Sequence, residues 1–312
     1  MNLHLICQQY GGFRKALGER FKVNGSQLKA FCRAMGPDVD IADVSPEKVN
    51  TFLIGAGPLT TTWYVKHNAL RGFYRYAISR RFVTTSPLPL TIPKLPPFKP
   101  YIYSPAELRR LLDSTESCRR PRSDLDASVM RALILVMYGA ALRTSEALSL
   151  KIRDVDLSEG VLTIRDSKFF KSRLVPIGKN TVRVLAEYAR RHDSPARKPD
   201  DHFFVGRNAK QIPLHKIERA FKQIRMHAGL HRDGGPRCQP RLHDLRHTSA
   251  VHRLTSWYRE GKDVQKLLPP LSVYMGHTLL AATQAYLSMT PDLLHQASLR
   301  FERYAKREGG NE

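Results

Sequence analysis

Leu242-His243-Asp244-Leu245-Arg246-His247 holds the start of a stretch, His243 to Tyr258, that reads as a helix. The three-residue step from His243 to Arg246 puts an imidazole and a guanidinium on one face, where both can meet the same anion. Upstream, Ala141-Leu142-Arg143-Thr144-Ser145-Glu146 closes the longest clean apolar run, Ala132 to Leu142, which is flanked by Arg131 and Arg143. That run is too short to span a bilayer and predicts a buried helix. Between the two segments, Val161 to Arg165 and Leu174 to Ile177 gather β-formers around a polar stretch containing Lys168, the pattern of a hairpin. Downstream, Met275-Gly276-His277 is followed by Tyr286.

Working outward, Thr60 to Arg81 carries Trp63, Leu70, Phe73, Tyr74, Ala77 and Ile78 at helical spacing, with Lys66, Arg71, Arg75 and Arg80 between them. Ser45-Pro46-Glu47 marks another helix start. Residues 1–86 are therefore read as a small basic helical bundle. Residues 87–103, rich in proline, cannot continue a helix and form the expected linker. Ser104-Pro105-Ala106-Glu107 has a cap, a first-turn proline and a Glu at the third helical position, so it opens a second domain, 104–312. Thr181 to Arg191 and Leu214 to Ala228 also read as helices. The fold class is mainly α with a small β-sheet.

The charge is the strongest compositional signal. In 312 residues, 51 Lys and Arg stand against 28 Asp and Glu, a formal +23. Of that excess, +9 falls in residues 1–99 and +14 in the remainder. A surplus this large repels itself unless a polyanion neutralises it, and nucleic acid is the obvious partner for both parts of the chain. Charge alone leaves a purely phosphate-holding protein open. Cys7, Cys32, Cys118 and Cys238 include no C-x-x-C pair, which suggests neither a disulfide framework nor a thiolate zinc site. With no basic-then-apolar leader at the start, we expect a cytoplasmic, nucleoid-associated protein with no membrane partner and no small-molecule substrate.

Taken singly, the segments around Arg143, Lys168, His243 to Arg246, and His277 to Tyr286 are each weak. Together and in this order the chain resembles the tyrosine recombinase (phage integrase) family: an Arg in L-R-x-x-E, a Lys on a β-hairpin, H-x-x-R on a helix, then G-H with a Tyr nine residues later. The resemblance runs from Ser104 to about Leu294, and the N-terminal helices are similar in kind to that family's core-binding (SAM-like) domain. It implies a two-domain C-clamp on double-stranded DNA and a catalytic set of Arg143, Lys168, His243, Arg246, His277 and Tyr286. It also implies site-specific cutting and rejoining through a covalent 3′-phosphotyrosine, with no cofactor and no metal. A homotetramer on paired sites is implied too, with related recombinases as possible co-members. The segment Leu268-Pro269-Pro270 before Tyr274 and Met275 departs from the usual pattern, resembling recombinases of bacterial transposable elements. Those prolines should end a helix just before Tyr274.

The physical logic of the set can be stated independently. Attack on a phosphodiester builds negative charge on the nonbridging oxygens, and Arg143 and Arg246 suit the task of clamping them. His277 can add a hydrogen bond and His243 can accept the tyrosine proton. A phenol with a pKa of about 10 needs such help at neutral pH. Lys168, five residues before Arg173, is the choice for protonating the leaving 5′-oxygen, with Lys171 the near rival. His243 and His247, four apart, also have zinc-ligand spacing, but the alternative we favour is that His247 packs or caps beside the phosphate site. A type IB topoisomerase and a non-catalytic DNA-binding accessory protein are the remaining alternatives. Residues 291–312, with Leu293, Leu294, Leu299, Phe301 and Tyr304, read as a terminal helix able to dock on its own subunit or a neighbour.

Overall fold

The computed structural model describes residues 1–19, 21–95, 99–118, 125–165, 172–207, 210–235, 238–289 and 293–299. The chain divides into two compact units, Met1–Phe98 and Lys99–Glu312. The division falls inside the proline-rich segment.

The first unit holds helices α1 (Leu3–Ala16), α2 (Lys22–Met35), α3 (Pro46–Ile54) and α4 (Thr61–Ser79). Their starts are chemically marked: the Asn2, Ser45 and Thr60 side chains each accept hydrogen bonds from backbone N–H groups of the following turn. Leu3, Ile6, Tyr10, Phe31, Trp63, Phe73 and Tyr74 fill the centre, with Tyr10 meeting Phe73 edge-on at 5.9 Å. Within the segment read as the linker, Pro93 is anchored to α4 because its carbonyl accepts a hydrogen bond from the Tyr64 hydroxyl.

Near the start of the second unit, Tyr103 is fully buried. Its backbone N–H donates to Thr248 Oγ1 at 3.0 Å and its hydroxyl to the Arg241 carbonyl at 2.9 Å. Helix α5 (Pro105–Asp113) follows with the expected reciprocal cap between Ser104 and Glu107. Helix α6 (Ala127–Gly139) is the axis of the core, burying Val129, Met130, Leu133, Ile134, Val136 and Met137, at about 1.5–3 kcal/mol for each large side chain. The apolar run predicts helix through Leu142, but α6 stops three residues earlier. Ala141 takes a left-handed φ of 49°, a conformation that costs a non-glycine residue about 1–3 kcal/mol. That turn starts α7 (Thr144–Ser149) on a new axis.

Strands β1 (Val155–Asp156), β2 (Val161–Ile164) and β3 (Arg173–Pro176) form an antiparallel sheet in that order, with Leu162 opposite Val175 and Ile164 opposite Arg173. Helices α8 (Lys179–Arg191), α9 (Leu214–His227), α10 (Asp244–Arg259), α11 (Val264–Met275) and α12 (Ala281–Gln284) complete the unit, followed by a short 3₁₀ turn at Ala285–Ser288 and helical residues 293–299. The rest of the expected terminal helix lies outside the described residues.

The expected helix break before Tyr274 is not found: Pro269 and Pro270 lie inside α11. Both rings face solvent, and the backbone carbonyls they leave without a partner belong to exposed Gln265 and Lys266, which water can satisfy. Val264, Leu268, Leu271 and Met275 bury the opposite face against Ala250, Val251 and Leu254 of α10, and that packing holds the helix through the prolines. Gly276 then ends it at a left-handed φ of 67°.

Candidate active site

The turn after α6, the start of β3, the head of α10 and the end of α11 converge on one buried carboxylate. Glu146, at the third position of α7, accepts hydrogen bonds from the Arg143 backbone N–H at 3.0 Å and Arg143 Nη1 at 2.6 Å. It also accepts from Arg173 Nη1 and Nη2 at 3.1 and 2.9 Å. Arg246 Nη1 stands 3.9 Å from Glu146 Oε2. Burial works to raise the Glu146 pKa, but the Arg173 and Arg143 hydrogen bonds and charges outweigh it and hold the group at about 2.

Backbone carbonyls aim the same guanidiniums. Arg246, 2% exposed, donates to Ala141 O at 2.5 Å and to Met275 O at 2.6 Å. The strained turn at Ala141 thus orients one of these two acceptors. Arg143 Nη2 donates to Gly276 O at 2.9 Å, and Arg173 Nε to Tyr274 O at 2.9 Å. Gly276 has a second requirement besides its φ, since a Cβ there would lie 2.7 Å from Arg173 Nη1. Burial, then repulsion from Arg143, draws Arg246 down to about 10, so it stays cationic at neutral pH. Three guanidiniums around one carboxylate leave about two positive charges unbalanced in a desolvated site, a standing attraction for a phosphate.

Tyr286, 3% exposed, lies in the 3₁₀ turn after α12, packed with Leu271, Met275 and Leu293. Its hydroxyl is 3.0 Å from His247 Nδ1. The His277 ring is roughly parallel to the phenol with centroids 6.0 Å apart, and His277 Nδ1 pairs with the buried Thr283 hydroxyl at 2.7 Å. Burial raises the Tyr286 pKa, while the charges of Arg246 and Arg143 and a hydrogen bond from Arg246 oppose that rise. Burial also depresses all three imidazoles, aided by the arginines: His243 is lowered, and His247 and His277 fall to about 4. At neutral pH all three are uncharged and can accept a proton or donate through one ring nitrogen.

The fold therefore brings Arg143, Arg246, His277 and Tyr286 to one place, with His243 at the head of α10, its ring 5.2 Å from that of His247. Lys168, the expected general acid, and its rival Lys171 lie outside the described residues. The imidazole at the phenol is His247, one turn beyond His243. The sequence reading favoured a packing or capping role for it. Glu146 and Arg173 were also passed over, the first quoted only within a motif and the second used only as a spacing marker. A Glu three residues after an Arg at a helix start was the available signal for the former. Of the zinc alternative, among the described residues no group of three or more His, Cys, Asp or Glu is placed to hold a metal. Among the described residues no helix is long and apolar enough to cross a membrane.

Comparison with known proteins points one way. The model of the phage integrase family matches residues 103–292. An integrase/recombinase of Sinorhizobium fredii, y4rE, is 34% identical over 94% of this chain and 94% of its own length. The tyrosine recombinase XerC of Xanthomonas axonopodis pv. citri is 33% identical over 74% of this chain and 68% of its own length. Among solved structures, a lambda integrase tetramer bound to a Holliday junction superposes with a TM-score of 0.66 at 17% identity, covering 91% of this chain and 77% of that one. The Tn1549 transposon integrase in complex with transposon right end DNA gives 0.65 at 16% identity, covering 98% and 100%.

Proposed function

This chain belongs to the phage integrase family of tyrosine recombinases, and on that footing we propose that it cuts and rejoins duplex DNA at defined sites with Tyr286 as its nucleophile. The observation that carries the assignment of the nucleophile is the placement of a buried phenol against His247 beside an under-neutralised arginine cluster.

In the proposed reaction Arg143 and Arg246 grip the nonbridging oxygens of the scissile phosphate, with His243 and His277 as further hydrogen-bond donors. The Tyr286 oxygen bonds to phosphorus as the phenolic proton leaves to an imidazole. The phosphorus–O5′ bond breaks and O5′ takes a proton from Lys168, giving a 3′-phosphotyrosine and a free 5′-hydroxyl. The phosphodiester's energy stays in the tyrosyl ester, so a 5′-hydroxyl from another strand can reverse the sequence and join to it. Glu146 and Arg173 position the clamp without touching the phosphate.

The +23 charge supports DNA contact by both units, with residues 1–86 as the core-binding domain and 104–312 as the catalytic domain. The lambda integrase of like fold was solved as a tetramer on a Holliday junction; we extend that assembly to this chain as a homotetramer on paired sites, open to related recombinases as co-members, acting on DNA in the cytoplasm. The test uses a pool of nicked duplexes of randomised sequence. Denaturant-resistant protein–DNA complexes are recovered and sequenced, and the selected site is then offered as two distinguishable duplexes. Expected are a convergent site, released 5′-hydroxyls and exchanged strands. Relaxation of supercoils with no exchange between selected sites would contradict recombination.

A further inference from the structure

The reading above requires a proton acceptor for the phenol. Resting on it, we propose that His247 is a further catalytic residue, the base that takes the Tyr286 proton in cleavage and returns it in ligation. His247 Nδ1 lies 3.0 Å from the Tyr286 hydroxyl, and the two rings are 5.6 Å apart at 54°. The contact joins the second turn of α10 to the turn after α12, so the same chain segment that carries Arg246 also carries the base. No rearrangement of the helix is needed to bring clamp and base to one reaction centre.

The charged and titratable groups around His247 explain when it can act. His243, Arg241 and Arg246 oppose its protonation and Asp244 favours it, on top of the burial that keeps it neutral. A bound phosphate brings negative charge into this field and offsets the arginines, which strengthens the imidazole as a base. As the phenolic oxygen bonds to phosphorus it also becomes more acidic, so proton transfer and attack proceed together. In the free protein the same groups leave a weak base beside an un-ionised, buried phenol, which holds the nucleophile in check until DNA arrives. The electron count balances: the O–H bond of Tyr286 becomes N–H on His247, the Oη–phosphorus bond forms, and O5′ leaves with a proton from the general acid. His243 is then free to hydrogen-bond the phosphate.

The test measures single-turnover cleavage of the selected site by the full chain with His247→Asn, whose amide can hold the hydroxyl but cannot take its proton. The variant should bind DNA as the wild type does and cleave about 10²-fold or more slowly. Replacing the 5′-bridging oxygen by sulfur removes the need for leaving-group protonation and should rescue Lys168→Ala but not His247→Asn. Incorporating 3-fluorotyrosine at position 286, a more acidic phenol, should recover much of the lost His247→Asn rate. A variant within a few-fold of wild type, or a loss that the fluorinated phenol leaves unchanged, overturns the proposal. Nitrogen-15 spectra of the DNA-free protein give a second check: an unprotonated Nδ1 on His247 at neutral pH is expected, and a protonated one contradicts it. An adduct that persists at full yield in Tyr286→Phe would instead overturn the underlying choice of nucleophile.

Discussion

In a Glu146→Gln protein, three guanidiniums lose the carboxylate they share. The native side chain takes hydrogen bonds at 2.6 to 3.1 Å from Arg143 and Arg173 and sits 3.9 Å from Arg246. Glutamine keeps the shape but brings an amide NH₂ against donors, so at least one guanidinium hydrogen bond is replaced by a donor–donor contact. Removing one partner of a buried pair costs about 3–5 kcal/mol. Arg143 is the most solvated of the three arginines at 24% side-chain exposure, so we take the lower end, about 3 kcal/mol, for this site. For a unit of this size each kcal/mol moves the melting temperature about 2–4 °C, so the variant should melt about 6–12 °C lower. Thermal unfolding followed by circular dichroism reads this directly. Added inorganic phosphate should restore more stability to the variant than to the wild type, because the exposed excess of positive charge binds anions. A melting temperature within about 2 °C of wild type, with no differential effect of phosphate, would refute the idea that Glu146 balances the cluster.

Gly276→Ala combines a left-handed backbone with a Cβ 2.7 Å from Arg173 Nη1; it should lose about 1–3 kcal/mol of stability and about 10²-fold in cleavage rate through displacement of the clamp, and near-normal cleavage would contradict the close approach. The depressed imidazoles His243, His247 and His277 predict acid sensitivity of the DNA-free protein. Their unfolded forms bind protons first, so the stability present above pH 6.5 is lost as pH falls towards about 4. His247 and His277 should contribute about 1–2 kcal/mol apiece after allowance for solvent. Urea midpoints that fall as steeply in a His247→Asn, His277→Asn protein as in wild type would count against this. Lys168→Ala should block cleavage of an oxygen-linked site while Lys171→Ala cleaves; the reverse result moves the general acid to Lys171.

Much of this site could be read before folding because its residues sit in short local patterns. The Ser104–Glu107 reciprocal cap, the His243–Arg246 step and the order of the four segments are local or ordinal facts. The parts that escaped are those that exist only across the chain. Nothing local to His247 reveals that residue 286 will stop beside its Nδ1, and nothing in the Arg173 spacing reveals that its guanidinium will share Glu146 with Arg143. Strand β1 is only two residues long, below what alternation can signal. Pro269 and Pro270 misled because local propensity predicts a break, whereas burial of Leu268, Leu271 and Met275 on the other face decides for helix. The early end of α6 at Gly139 was hidden inside an unbroken apolar run, since the strain at Ala141 leaves no mark on hydrophobicity.

The most direct test of the central claim is the mass of the peptide that carries residue 286 after the protein–DNA adduct is trapped on a nicked site, digested with protease and nuclease, and sequenced. The account predicts a nucleotide 3′-phosphate esterified to the Tyr286 oxygen in the wild type and no adduct in Tyr286→Phe. A nucleotide found on any other side chain, or joined through a 5′-phosphate, would contradict it.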